Sequence, residues 1–164
     1  MKPLDAQVKA ENRIVSDWLL YYPERLKEYQ DAQEDVALYP GQALSDDIRV
    51  NGVSDPTAWI AALREKAGKY DARWFEVIAE VERRIPEKQR IFLQIRREAR
   101  HNYSNYRGRP GWVAYVQCKY PLVMAEKTGR DVMDFYISDR ETLFGWWNRL
   151  VEYAARLAIK KGVL

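Results

Sequence analysis

Cysteine and histidine are almost absent from this chain of 164 residues, which contains one of each, Cys118 and His101. A single cysteine excludes an intrachain disulfide, and one cysteine with one histidine cannot build a Cys/His zinc site. His101 lies in a polar stretch without a partner for catalysis, so we interpret it as exposed. Cys118 has no histidine partner in the sequence, and we expect it to be a small buried residue.

Groups for other chemistry are also sparse. The chain has no Gly-rich phosphate loop, and the acidic pairs Asp46/Asp47 and Asp131/Asp134 lack a third ligand at a metal-binding spacing. General acid–base catalysis needs a base near neutrality or convergent carboxylates, and neither is evident. We therefore predict that the protein is not an enzyme and uses no cofactor or metal.

Long apolar runs are missing as well. No stretch approaches the length of a membrane span, and the polar start MKPLDAQVKAENR lacks the apolar core of a signal peptide. These two absences predict a cytoplasmic protein without a membrane partner.

Apolar residues instead recur at helical spacing, and no segment shows β alternation, which predicts an all-α fold. In the first segment they recur every seven residues, at Val8, Val15, Tyr22, Tyr29 and Val36. Pro23 interrupts this segment, and because proline cannot donate a backbone hydrogen bond we expect a kink or break there. Turn-forming residues then predict a loop over 38–54.

A second long helix is predicted over 55–85, because Asp55 can cap it and Pro56 suits its first position. Apolar residues continue at spacings of three and four across Gly68 without losing phase. The residues expected to be buried along this stripe are Ile60, Leu63, Trp74 and Ile78. Two long helices joined by a loop most simply form an antiparallel hairpin. Residues 1–85 are thus predicted as a helical hairpin, whose helices could also join copies into a homo-oligomer.

Residues 86–164 are predicted as a second, basic domain made of shorter helices. Pro86 ends the long helix, a loop covers 101–111, and a helix with a kink at Pro121 follows. A short turn or helix over 128–138 leads to a final helix over 139–161. The final helix carries a heptad-like seam: Leu143, Trp147, Leu150, Ala154 and Leu157.

Charge is distributed unevenly between the two segments. Residues 1–85 contain 12 Lys/Arg and 16 Asp/Glu, a net charge of −4, whereas residues 86–164 contain 15 and 8, a net charge of +7. A basic C-terminal half favours a polyanionic partner, and we predict a nucleic acid.

The candidate DNA-binding residues form two groups. The first is the densest basic cluster, with Tyr103 and Tyr106 interleaved: Arg96, Arg97, Arg100, Arg107 and Arg109. Guanidinium groups can grip phosphate there, with the tyrosines beside them. The second lies at the start of the final helix, where Ser138 could serve as the cap: Ser138, Arg140, Thr142, Trp146 and Arg149. A recognition helix presents such side chains to the major groove, although a tryptophan in a helix more often packs in a core.

Several stretches, in order, resemble the RinA-like phage transcriptional activators. IVSDWLLYYPERLKEYQDAQEDV looks like the opening helix of that family, and GVSDPTAWIAAL looks like its second element. RRIPEKQRIFLQIRRE is similar to the start of a sigma-factor region 4-like module, and ISDRETLFGWWNRLVEYAARLA resembles its recognition helix. The resemblance implies a helix-turn-helix activator of phage late genes, so residues 86–164 are expected to form a helix-turn-helix domain that binds double-stranded DNA. We also consider RNA polymerase as a further partner. Either 112–127 or 130–136 could be the supporting helix.

Two other functions fit the same sequence. A small terminase subunit also binds phage DNA through a helix-turn-helix but assembles into rings. A helical scaffold would bind RNA polymerase or another protein and barely touch DNA. The operator and the direction of regulation stay open.

Overall fold

The computed structural model of this chain describes residues 3–38, 56–100 and 111–164, and all regular secondary structure in these ranges is helical. The all-α prediction is confirmed. The helices are α1 (Pro3–Leu38), α2 (Pro56–Ala67), α3 (Arg73–Arg84), α4 (Glu87–Ala99), α5 (Gly111–Thr128) and α6 (Arg140–Lys160). A short 3-10 helix, Val132–Phe135, lies between α5 and α6.

The prediction of one helix over 55–85 is wrong, because α2 ends at Ala67 and α3 begins at Arg73. The backbone turns between them, and the Asp71 carboxylate accepts a hydrogen bond from the Arg73 amide at 3.0 Å. Tyr70 meanwhile packs edge-on against Trp18 of α1. The apolar residues keep their helical spacing across this turn because α2 and α3 both pack on α1. Trp74 and Ile78 are buried as predicted, but Ile60 and Leu63 are only half-buried.

α1 continues through Pro23 to Leu38, so the predicted interruption does not end the helix. Its buried stripe, Val15, Trp18, Leu19 and Tyr22, faces the core. Trp18 and Trp74 stack there with centroids 5.4 Å apart and ring planes 7° from parallel. Beyond the proline, Tyr29 packs on Phe75 of α3 with ring centroids 4.7 Å apart, so tertiary contacts hold α1 on both sides of Pro23.

α6 joins the two predicted segments, since it packs against both α1 and α3. Its seam is buried as predicted: Leu143, Trp147, Leu150, Ala154 and Leu157. α5 packs mainly on α4 and on the 3-10 helix. The hydrophobic core takes side chains from both sides of residue 86, and the division into two domains at that residue stays a prediction.

Two local predictions need correction. Cys118 is exposed rather than buried, because it lies on the face of α5 away from the buried Val113, Val116 and Tyr120. The cap of α6 is Asp139, not Ser138: the Asp139 carboxylate accepts from the Glu141 amide at 3.0 Å. Its second oxygen accepts a hydrogen bond from the Thr142 hydroxyl at 3.2 Å.

Asp139→Ala should therefore lower the free energy of unfolding by about 1 kcal/mol, the usual cost of removing a side-chain cap. Ser138→Ala is the matched control and should change it by less than about 0.5 kcal/mol, as expected for an exposed surface position. Urea denaturation followed by circular dichroism measures both. A larger loss for Ser138→Ala than for Asp139→Ala would indicate that Ser138 is the cap.

Candidate nucleic-acid interface

Arg97 must be removed from the predicted interface, because only 7% of it is exposed. Its Nε donates a hydrogen bond to the Leu19 carbonyl oxygen at 2.7 Å, and its Nη1 pairs with the Glu82 carboxylate. This guanidinium group therefore connects α4 to α1 and α3. A phosphate could reach it only if these contacts opened.

Arg100 is held in the same way and is also removed from the predicted interface. Its Nη1 donates to the Leu20 carbonyl oxygen and its Nη2 pairs with Glu24, while 9% of its side chain is exposed. Burial lowers the pKa of the Arg100 guanidinium because it disfavours the charged form. The charge remains at neutral pH, since the pKa of arginine begins far above it.

Arg96 takes a third environment, between two aromatic rings. Its guanidinium carbon lies 4.4 Å from the Trp112 ring centroid and 5.0 Å from that of Trp147. Such cation–π contacts stabilise a half-buried arginine. Arg96 thus supports the packing of α5 and α6 on α4 rather than extending into solvent. Arg107 and Arg109, with Tyr103, Tyr106 and His101, lie outside the described residues.

The second predicted group lies at the start of α6, and three of its five members are exposed. Arg140 and Arg149 are exposed on the first three turns. The Arg149 Nε donates to the Gly145 carbonyl oxygen at 3.2 Å, so its guanidinium lies along the helix surface. Ser138 is exposed just before the helix, where its carbonyl oxygen accepts from the Gln117 Nε2 at 3.2 Å.

Trp146 is a packing residue, which is the alternative that the sequence left open. Its ring meets Phe92 of α4 edge-on at 5.5 Å and Tyr120 of α5 at 5.5 Å. Burial also raises the pKa of the Tyr120 hydroxyl. Trp146 is half-buried, and the Thr142 hydroxyl donates to Asp139. Neither side chain is well placed to read a base.

Two further residues of α6 belong with Arg149 but were not among the predicted site residues. Asn148 and Arg156 are exposed, and Arg156 lies seven residues after Arg149 on the same helix face. The sequence does contain a signal for these two residues, because both are polar positions between the apolar residues of the α6 seam. Glu141 and Glu152 are also exposed on α6, so the face is of mixed charge with arginine and lysine in excess.

A separate cavity of about 470 Å³ lies between α4 and α5, lined by charged side chains that mostly pair with each other. Lys119 donates a hydrogen bond to Glu98 across it, and Lys127 pairs with Glu87 at 3.1 Å. The Lys119 hydrogen bond lowers the pKa of Glu98, and Tyr115 adds to the effect. These pairs hold α4 and α5 together.

Comparison with known proteins adds no family to this description. No protein-family model, curated protein or solved structure matches the chain. Within the described ranges, no three His, Cys, Asp or Glu side chains converge on a metal position. No helix of the described part of the chain is both long and apolar enough to cross a membrane.

Proposed function

We propose that this protein is a DNA-binding transcriptional regulator that contacts double-stranded DNA through the exposed face of α6. The observation that carries the proposal is the two-sided character of this helix. One face, from Leu143 to Leu157, is buried against α1, α3 and the aromatic residues of α4 and α5. The other face presents Asn148, Arg149 and Arg156 to solvent.

Such a helix has the dimensions and the side chains that major-groove recognition requires. An α-helix fits the major groove, where arginine pairs with guanine and asparagine with adenine. Asn148 and Arg149 are adjacent on the third turn, and the Arg149 guanidinium group lies against Gly145 one turn before. Packing on the opposite face would hold these side chains in place during binding.

Electrostatics supports the same partner. Residues 86–164 carry a net charge of +7, and their exposed cations on α6 include Arg140, Arg149, Arg156 and Lys160. Arg96, Arg97 and Arg100 are engaged in the fold, so the proposed contact surface moves from the end of α4 to α6. Glu141 and Glu152 would favour cytosine amino groups over phosphate at their positions.

The resemblance to RinA-like activators supplies the biological setting of the proposal, which is the activation of phage or prophage late genes in the cytoplasm. RNA polymerase would then be a second partner. In this setting α6 is the recognition helix, and aromatic side chains of α5 support it through Trp112–Phe144 and Tyr120–Trp146 contacts.

The test is selection of bound fragments from random DNA, followed by affinity measurements on the selected site. Arg149→Ala should cost about 1–3 kcal/mol of binding free energy on that site and little on random DNA, as for loss of a base contact. Arg156→Ala should weaken both equally and reduce the salt slope by about one unit, as for a phosphate contact.

Arg64→Ala, at an exposed position of α2, is the matched control and should bind like the parent chain. If Arg149→Ala and Arg156→Ala also bind like the parent while remaining folded, α6 is not the DNA-binding surface. If the parent chain itself shows no salt-dependent DNA retention, the helical scaffold for a protein partner becomes the better proposal.

A second candidate, the small terminase subunit, depends on self-association. Leu4 and Val8 are exposed, yet they lie eleven and seven residues before the buried Val15 on one face of α1. We propose that a second copy covers them, because Leu4 and Val8 extend the face of α1 on which Val15 is buried, beyond the polar Glu11, and identical chains present matching positions. Sedimentation-velocity ultracentrifugation of the parent and of Val8→Glu tests this. A ring of eight or more supports terminase, a dimer lost on substitution supports a dimeric regulator, and a monomeric parent rejects self-association.

A further inference from the structure

Pro23 leaves a defect in α1 that the helix itself cannot repair. In an α-helix the carbonyl oxygen of residue i accepts from the amide of residue i+4. The Leu19 carbonyl should therefore accept from residue 23, which is a proline without an N–H. The proline ring also crowds the carbonyls of the preceding turn. An unsatisfied carbonyl in the core is costly, and Leu19 is fully buried.

α4 supplies the missing donors. Arg97 Nε donates to the Leu19 carbonyl oxygen at 2.7 Å, and Arg100 Nη1 donates to the carbonyl oxygen of Leu20, the next residue. Arg97 and Arg100 are three residues apart and so share a face of α4. The carbonyl that lacks a donor because of the proline, and the carbonyl next to it, thus meet two arginines on one helix face.

The remaining contacts of both guanidinium groups, apart from Glu82 of α3, lie on the same part of α1. Arg97 pairs with Glu82 and lies 5.5 Å from the Tyr22 ring centroid. Arg100 pairs with Glu24 and lies 4.9 Å from the Tyr21 ring centroid. Each group therefore has its charge balanced and still directs an N–H to a carbonyl of α1.

We propose that Pro23, Arg97 and Arg100 form a clasp, in which α4 replaces the backbone donor that Pro23 removes from α1 and so fixes the register of the two helices. Arginine suits this role because its planar group offers several donors at once and stays charged when buried. The clasp does not depend on DNA binding. It explains why two arginines of the densest basic cluster are directed inward.

The clasp predicts that Arg97 contributes more to stability when Pro23 is present than when residue 23 is alanine. In the Pro23→Ala chain the new amide of residue 23 can donate to the Leu19 carbonyl, so the arginine becomes partly redundant. If Arg97 stabilised the fold only through its ion pair with Glu82, its substitution would cost the same stability in the parent and in the Pro23→Ala chain. A double-mutant cycle separates these two cases.

The experiment measures the folding equilibrium constant by urea denaturation of four full-length chains: the parent, Pro23→Ala, Arg97→Met and the double variant. In the proline chain, Arg97→Met should lower this constant about 10- to 100-fold, as for a hydrogen bond from a charged group. In the Pro23→Ala chain the loss should be at least about threefold smaller. Arg90→Met, at an exposed position of α4, is the control and should have little effect in either chain.

Equal losses in the two backgrounds would overturn the clasp and leave Arg97 as an ion-pair partner of Glu82. If Arg97→Met does not fold in the proline chain but folds in the Pro23→Ala chain, that rescue supports the clasp. If Arg97→Met folds in neither chain, Arg97→Lys replaces it in the same double-mutant cycle. Lysine keeps the charge for Glu82 but not the guanidinium Nε, so its loss should again be larger with Pro23 present, and an equal loss rejects the proposal.

Discussion

Trp74→Ala should lower the free energy of unfolding by about 3–5 kcal/mol, the usual cost of truncating a large buried aromatic residue. Trp74 is 6% exposed and stacks on Trp18 at a centroid separation of 5.4 Å. This stack is one of several aromatic contacts between α1 and α3, and Phe75 and Tyr70 meet Trp18 edge-on beside it. Truncation would leave a cavity that rigid helices on both sides cannot close. Urea denaturation monitored by circular dichroism gives the value.

Two controls make this result specific to the stack. Trp74→Phe keeps an aromatic ring and should recover a large part of the loss. Trp59→Ala, at a half-buried position of α2, removes the same side chain where less surface is buried and should cost less. An unchanged unfolding curve for Trp74→Ala would mean that α3 does not pack on α1 as described.

Phe92→Ala should also destabilise the fold by about 3–5 kcal/mol, because this residue of α4 is fully buried. Its ring meets Trp146 edge-on at 5.5 Å, which makes it part of the platform beneath α6. Lys88→Ala, exposed one turn earlier on the same helix, should change stability by less than about 0.5 kcal/mol.

A double-mutant cycle of Phe92→Ala with Trp146→Ala should give a coupling energy of about 0.5–1.5 kcal/mol, the range measured for aromatic pairs. The coupling tests whether Trp146 is a packing residue. A coupling near zero, together with a large loss of DNA affinity for Trp146→Ala, would return Trp146 to the set of base-reading side chains.

Helical spacing accounts for most of what could be predicted about the fold. The seam of α6 from Leu143 to Leu157 is read correctly, as is the burial of Trp74 and Ile78. Periodicity succeeds here because a helix that packs on a core must repeat its apolar face every three or four residues. Periodicity does not reveal the turn at 68–72. Both flanking helices contact α1, so the spacing of apolar residues is the same as in one continuous helix.

The candidate site was harder to predict, and the arginines show why. Arg96, Arg97 and Arg100 are close in sequence and look like one basic patch. In the fold, Arg96 lies between Trp112 and Trp147, while Arg97 and Arg100 reach the carbonyls before Pro23. Nothing local distinguishes an arginine that binds a phosphate from one that binds a distant carbonyl. The partner lies more than seventy residues away in the chain.

The sequence by itself determined the helical class, the positions of α1 and α6, and the basic character of residues 86–164, because periodicity and charge are local properties of the chain. Only the tertiary structure decided which cations face solvent, since that depends on which helix covers them. It directed Arg97 and Arg100 inward, where a proline in α1 lacks a donor, and left Arg149 and Arg156 on the open face of α6. A side chain's environment is set by its neighbours in space, and these come from α1 and α3 rather than from adjacent residues.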